Sequence, residues 1–262
     1  MGKIIAITNR RGKVGKSTTA VNLAIAFAYS GKKTLLADLD SAGSCAKAFG
    51  FTKKEIAYDI FKSLKPEVSL KKAILKTGIK NLDLIYIKRL PYLDEFKTGE
   101  MAVNEHILNT TLKPAVISYD YVIMDCPPYH AGTINASLIA ADSVLIPVSI
   151  GNFSTAAVSS VLAQIYKIKE SHNPGLIVDG ILLTIYEYNN EKDFALKKEL
   201  FKEYPKLIFN TAIPKSSAVI KALEENKPLL IYSPEDRAAK AYLKVADELF
   251  ERKILFNSKR KN

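Results

Sequence analysis

The segment Arg11-Gly12-Lys13-Val14-Gly15-Lys16-Ser17 brings together what a phosphate group asks of a protein: glycines that free the backbone, a lysine and a hydroxyl. It lies between a strand-like run, Lys3–Thr8, and a stretch of helical spacing. At such a junction successive backbone N–H groups and a helix N-terminus surround an anion. Lys16 would then reach the β- and γ-phosphates of ATP, and the Ser17 hydroxyl would ligate Mg²⁺. The strict Walker A pattern fails at its first glycine position, where Arg10 stands. Gly-Lys-Ser alone would also suit an ordinary turn; its place at the first strand–helix junction favours the phosphate loop.

Two acidic positions support this reading. Asp38-Leu39-Asp40 closes a second apolar run, which puts its carboxylates at the carboxyl edge of a sheet, where ligands bind in open α/β folds. Tyr121-Val122-Ile123-Met124-Asp125 is a hydrophobic strand ending in one carboxylate, the Walker B arrangement for hydrated Mg²⁺.

The elements that must position these residues are legible as alternating runs. Lys3–Thr8, Thr34–Asp38, Leu82–Ile87, Tyr121–Asp125, Ser143–Val148 and Leu176–Thr184 are apolar on both faces, as strands of a mostly parallel, twisted sheet with helices on both sides should be. Between the first two, Ala20, Leu23, Ala24, Phe27 and Ala28 fall at helical spacing, and Gly31-Lys32-Lys33 turns the chain back. Ser233-Pro234-Glu235-Asp236 predicts a helix start with Ser233 as cap, and Ala238, Tyr242, Val245 and Leu249 line one face beyond it. The stretch 88–118, punctuated by Pro91, Gly99 and Pro114, is the least readable. No repeat or linker divides the chain, so residues 1–262 are expected to form a single α/β P-loop NTPase domain.

Composition narrows the classes. With 48% hydrophobic and 25% charged residues the chain can build a core. No uncharged stretch is long enough to span a bilayer, and the run at Lys3 has no basic leader or cleavage site before it, so a cytoplasmic protein is expected. Cys45 and Cys126 suggest neither a disulfide framework nor a zinc motif. The net charge of +11 is concentrated in residues 1–80, with 16 Lys+Arg against 5 Asp+Glu. That surplus is either a surface attracting nucleic acid or anionic lipid, or a solvated basic face.

Taken together the motifs resemble the ParA/MinD family of deviant Walker-A ATPases, and within it the ParA/Soj partition proteins. The family loop Lys-Gly-Gly-x-Gly-Lys-Thr/Ser matches Arg11 to Ser17, and Thr18-Thr19-Ala20-Val21-Asn22-Leu23-Ala24 follows it. Asp38-Leu39-Asp40-Ser41-Ala42-Gly43, Asp125-Cys126-Pro127-Pro128, Ile146-Pro147-Val148 and Thr211-Ala212-Ile213-Pro214-Lys215 fit in order. The resemblance implies ATP contacts along Arg11, Gly12, Lys13, Val14, Gly15, Lys16, Ser17 and Thr18, with adenine near Pro214 and Lys215. It implies Mg²⁺ near Ser17, Asp125 and Asp40, and catalysis by Asp40, Lys16 and Arg11, with Asp40 acting on the attacking water. It also implies an ATP-dependent homodimer in which the signature basic residue crosses to the partner's nucleotide, DNA binding without sequence preference, and a ParB-like or adaptor partner.

The departures are specific. Arg11 replaces the signature lysine, Lys13 the second glycine, and Ser41-Ala42 the motif Pro-Gln. A family glutamate is replaced within Ser149-Ile150-Gly151-Asn152, and Ser216-Ser217-Ala218 lacks an arginine that relatives turn toward DNA. These changes bear on turnover and on the DNA surface more than on ATP binding. Two other readings follow. The tail Leu249–Phe256 with Lys259-Arg260-Lys261 mixes apolar and basic residues as a membrane-surface anchor would, although its apolar positions continue the stripe of Val245 and Leu249. A non-hydrolysing ATP-dependent scaffold would explain the loop substitutions. His106, His130 and His172 show no ligand spacing.

Overall fold

Runs that are apolar on both faces have to be covered on both faces. The computed structural model describes residues 2–52, 70–86, 107–112, 115–128, 131–149 and 155–258. Among them the strands are β1 (Lys3–Ile7), β2 (Thr34–Asp38), β3 (Leu75–Lys76), β4 (Leu82–Tyr86), β5 (Tyr121–Asp125), β6 (Ser143–Ser149) and β7 (Ile177–Thr184). They form one sheet in the order β3-β4-β2-β5-β1-β6-β7. Every pairing is parallel except β3 on β4 at the edge. Six strands coincide with the apolar runs to within a residue or two; β3 is too short and too polar to register in the sequence.

The period of two divides each strand between two cores. Ile4 and Ala6 of β1, Leu35 and Ala37 of β2, and Val122 and Met124 of β5 face one side. There α3 (Ile107–Leu112), α4 (Ala115–Ser118), α5 (Ala131–Ala140), α6 (Thr155–Ser171) and α7 (Glu191–Glu203) follow in sequence, and Leu108, Ile134, Leu162 and Leu200 join this core. Ile5, Ile7, Leu36 and Ile123 face the other side, against α1 (Lys16–Tyr29), α2 (Ser44–Ala48), α8 (Ser217–Glu224), α9 (Leu229–Tyr232) and α10 (Arg237–Ser258). α1 is buried along most of its length, and its Asn22 explains one motif residue: the side chain donates to Thr18 O at 2.8 Å and accepts from Leu230 N at 3.0 Å, fixing α9 to α1.

α10 departs from the expected start. It begins at Arg237, and Asp236 rather than Ser233 caps it, accepting from Ala238 N at 2.8 Å. Asp236 sits where its oxygen meets the first free N–H, while Ser233 lies one turn earlier and ends α9. Tyr242, Val245 and Leu249 are buried, and the Phe250 ring lies 4.8 Å from that of Phe27. The tail is therefore core-packed as far as Phe250. The side chains of 253–256, residues Ile87, 88–106, Pro114, Ile150–Asn152 and Lys259–Lys261, and His130 lie outside the described residues.

At the amino edge of the sheet a bulge organises the anchoring. Val144 pairs with Val178 and Leu145 with Gly180, leaving Asp179 as the extra residue. Its buried carboxylate accepts from Lys3 Nζ at 2.8 Å and from the Ser143 hydroxyl. A Cβ on Gly180 would stand 2.4 Å from Leu207 O, so only glycine fits there. Arg252 of α10 reaches into this corner, donating to Asp179 O at 2.9 Å and Ile208 O at 2.6 Å, pairing with Glu248 at 3.0 Å and stacking 4.1 Å from the Phe209 ring. Removing it leaves carbonyls unpaired in a partly buried corner. Arg252→Ala should lower unfolding stability by about 2–4 kcal/mol in a denaturant titration, well above the ~0.5 kcal/mol of an ordinary surface change.

Candidate functional site

The site is built at the carboxyl ends of β1, β2, β5 and β7. The chain leaves β1 with Thr8 N donating to Leu145 O at 3.2 Å. The next residue, Asn9, is buried; its amide donates to Pro147 O at 2.8 Å and its oxygen accepts from Arg11 N at 2.9 Å, which bends the chain into the loop. Val14 packs into the core, and its carbonyl accepts from the Thr184 hydroxyl at 3.0 Å, tying the loop to the end of β7.

Gly15 is the N-cap of α1 in left-handed conformation, φ 77°, and no side chain caps the helix. The first N–H groups of α1 thus point into the concavity of the loop, with the positive end of the helix dipole behind them. Lys16 starts the helix, is only 7% exposed, and folds back so that Nζ donates to Arg11 O at 2.8 Å. Burial lowers its pKa, opposed by the negative charge of Asp125. Arg11 and Lys13 are exposed on the rim, and Lys13 takes φ 60°, the left-handed region that the family glycine would occupy without cost. A side chain there costs on the order of 1 kcal/mol.

Register brings the acids together. β2 and β5 are neighbours, and Asp38 is paired with Asp125, both fully buried. Asp38 Oδ2 accepts from Cys45 N at 2.9 Å and Ala46 N at 3.1 Å, and Oδ1 from Asp40 N at 3.2 Å. This carboxylate therefore supplies the cap that α2 lacks at Gly43. Asp125 Oδ2 accepts a hydrogen bond from the Cys45 thiol at 3.2 Å, and the nearby Ser17 hydroxyl favours its charged form. Among the described residues, Asp125 Oδ1 is buried without a hydrogen-bond partner.

Burial without enough cations governs the protonation of this cluster. Desolvation raises Asp125 to about 6, although Ser17 and Cys45 favour its charged form. Burial and the neighbouring Asp125 push Asp38 well above the ordinary carboxylate range. Burial also raises the Cys45 thiol, and pushes Cys126 up to about 12. Because the folded-state pKa of Asp125 is raised, its contribution to stability is favourable in acid and is lost as pH rises through about 6.

The other expected site residues separate into two groups. Asp40 lies at the rim, half-buried, with Oδ1 accepting from Ala42 N at 2.9 Å, and its charge is felt by Lys16 and Asp125. Pro214 bridges to Tyr186, two residues beyond the Thr184 that touches the loop, so the end of β7 leads directly from the loop to Pro214. Lys215 N donates to Tyr186 O at 3.0 Å, while its ammonium is held in an exposed pair with Glu187 at 2.8 Å. A cleft of about 340 Å³ opens there between Glu187, Tyr188, Asn189, Lys215 and Arg237.

Sequence reading gives Cys45, Asn9 and Thr184 no role in the site, and Asp38 only a place at the sheet's carboxyl edge beside Asp40. Asp38 was visible as the first acid of Asp-x-Asp, but only the β2–β5 register sets it beside Asp125. A partnerless buried carboxylate oxygen, a serine hydroxyl beside it and an uncapped helix N-terminus are what a magnesium–polyphosphate ligand would satisfy. The residues fit that group: Gly12 to Thr18 for the phosphates, Ser17 and Asp125 for the metal and its water.

Comparison with known proteins gives the same direction. The AAA domain family matches residues 2–178. The chain is 34% identical to the sporulation initiation inhibitor protein Soj of Bacillus subtilis over 95% of its length and 98% of that protein. It is 30% identical to the chromosome partitioning protein ParA of Caulobacter vibrioides, over 95% of this chain and 94% of that one. Among solved structures, the cell division ATPase MinD of Pyrococcus furiosus superposes with a TM-score of 0.78 at 22% identity, covering 96% of this chain and 99% of that one. Cobyrinic acid a,c-diamide synthase of Mycobacterium smegmatis, with ADP and magnesium bound, superposes at 0.78 and 23% identity over 94% and 93% of the two chains. These structural likenesses establish the fold, a P-loop α/β sandwich. The extent and identity of the match to Soj and ParA establish more: this chain belongs to the ParA/Soj family of P-loop partition ATPases.

Proposed function

We propose that this chain is a partition or positioning switch that binds ATP with Mg²⁺, pairs with a second copy of itself around the nucleotide, and hydrolyses it slowly. In the ATP state it holds DNA without sequence preference, and a ParB-like or adaptor protein couples it to its cargo. The observation that carries the reading is the unpartnered Oδ1 of buried Asp125, beneath an uncapped helix N-terminus whose lysine is folded onto its own loop. Membership of the ParA/Soj family supports the dimer, the DNA and the adaptor, and the net charge of +11 supports an anionic surface partner.

The reading gives each residue a role. Lys16 exchanges the Arg11 carbonyl for the β- and γ-phosphates, gaining charge-assisted contacts. Backbone N–H groups from Gly12 to Thr18 cradle the phosphates, and Pro214 and Lys215 border the adenine. Ser17 and Asp125 would hold the metal and its water, with Asp40 nearby at the rim. Bound Mg²⁺ supplies positive charge to the phosphate oxygens. Asp40 orients the attacking water by accepting its hydrogen, and Arg11 carries a guanidinium across to the partner's nucleotide. That group is planar and bulkier than an ammonium, which fits slow turnover.

Lys16→Ala should weaken ATP binding tenfold or more, about 1.4 kcal/mol or above, in a nucleotide titration. Parental affinity in that variant would dismiss the phosphate-loop assignment.

Asp40→Ala should bind ATP normally but accumulate as a dimer on size exclusion with ATP, and load onto DNA of arbitrary sequence. Rising salt should release it, because phosphate contacts by lysine are its anchor. If the parent and Asp40→Ala release phosphate equally slowly with DNA present, the scaffold reading replaces the switch.

Arg11→Ala should abolish ATP-dependent dimerisation, whereas Lys13→Gly should spare it. Lys13→Gly should also match or exceed the parent's stability by up to about 1 kcal/mol, since φ 60° suits glycine. The reverse pattern in light scattering would make Lys13 the residue that crosses the interface.

A further inference from the structure

One feature of the site is not used by ATP binding. Cys45 is fully buried, and its sulfur lies 3.2 Å from Asp125 Oδ2. Asp38, Cys45 and Asp125 each offer a ligand atom, and these atoms lie within 4.8 Å of one another. All three side chains are buried, and among the described residues Oδ1 of Asp125 has no hydrogen-bond partner. Asp38 Oδ1 accepts a single long hydrogen bond, from Asp40 N at 3.2 Å, which leaves it a lone pair to share.

The donor set matters more than the count. Mg²⁺ takes oxygen and keeps its water, and a thiol adds nothing to its binding. A thiolate with two carboxylates suits a borderline or soft ion such as Zn²⁺ or Cd²⁺. With a Zn–S bond of about 2.3 Å and Zn–O bonds of about 2.0–2.2 Å, a tetrahedral ion holds sulfur and oxygen roughly 3.5 Å apart. The 3.2 Å separation of Cys45 Sγ from Asp125 Oδ2 is close to that spacing, so little movement is needed.

We propose that Asp38, Cys45 and Asp125 form a binding site for a thiophilic divalent cation of the zinc class, separate in chemistry from the Mg²⁺ position. Binding breaks the Cys45 S–H bond, forms a sulfur–metal bond and gives the proton to solvent; nothing is oxidised or reduced. A cation there draws on the Asp125 carboxylate that Ser17 also contacts, so it competes with Mg²⁺·ATP. That competition rests on the function proposed above; the site itself does not. The consequence is an ATPase that zinc-class ions hold in a nucleotide-free state.

The test is titration of nucleotide-free protein with Cd²⁺ alone, followed by the ultraviolet sulfur-to-metal charge-transfer band. The band should appear, saturate at one ion per chain, persist in Cys126→Ala, and be lost in Cys45→Ser, because Cys45 is the sulfur it reports. Circular dichroism of Cys45→Ser confirms that it is folded, and Asp125→Asn with Cys45 intact should lose affinity as well. Lys16→Ala should retain the band, so the site stands even if ATP binding fails. Absence of the band, or its survival in folded Cys45→Ser, overturns the site. Equal Cd²⁺ affinity with and without saturating Mg²⁺·ATP, in protein shown to bind ATP, overturns the competition.

Discussion

Two carboxylates buried side by side at the ends of neighbouring parallel strands are the constraint on which this molecule is organised. Asp38 and Asp125 are paired in register and neither is exposed. A buried ionised carboxylate is costly unless it is hydrogen-bonded or paired, and the structure meets that cost locally. Asp38 is given the N–H groups that begin α2, and Asp125 the Ser17 hydroxyl and the Cys45 thiol, with Lys16 facing it from the loop. What is left over is negative charge at a helix N-terminus, and a bound cation is its natural complement.

The loop depends on the same economy of buried polar groups. Its carbonyls are occupied: Val14 O by Thr184 and Arg11 O by Lys16. Its N–H groups at the start of α1 are turned inward and left for a ligand, since Gly15 brings no capping side chain. Left-handed residues flank the Thr184–Val14 bond on both sides, Lys13 at φ 60° and Ile185 at φ 55°. For a β-branched residue such as Ile185 this is a true outlier, and strain of this kind collects where the surrounding structure over-determines a functional loop. Through Thr184 and Tyr186 the loop and the Pro214 corner are joined along one strand end.

Stability and function are divided between the two edges of the sheet. At the amino edge Asp179, Lys3, Ser143 and Arg252 satisfy one another and fix α10 across the sheet. At the carboxyl edge the polar groups are only partly satisfied, as at Asp125.

The sequence determined the fold class and the chemistry of the loop because both are local. Apolar runs of five to eight residues alternating with helical spacing call for a covered parallel sheet, and Gly15-Lys16-Ser17 at the first strand–helix junction reads as an anion site. It also ordered the family motifs, since each is a contiguous string. Strand order is not local. That β2 lies against β5, and hence Asp38 rather than Asp40 against Asp125, is decided by pairings more than eighty residues apart in the chain. The same holds for Cys45, unremarkable as a lone cysteine, and for Thr184, an ordinary strand residue until β7 is placed beside the loop. The start of α10 was misplaced because Ser-Pro-Glu-Asp contains two acceptable caps, and only the packing of α9 chose Asp236. Types and spacings name the chemistry; the sheet decides which of those groups share a space with too little water and too few counter-charges.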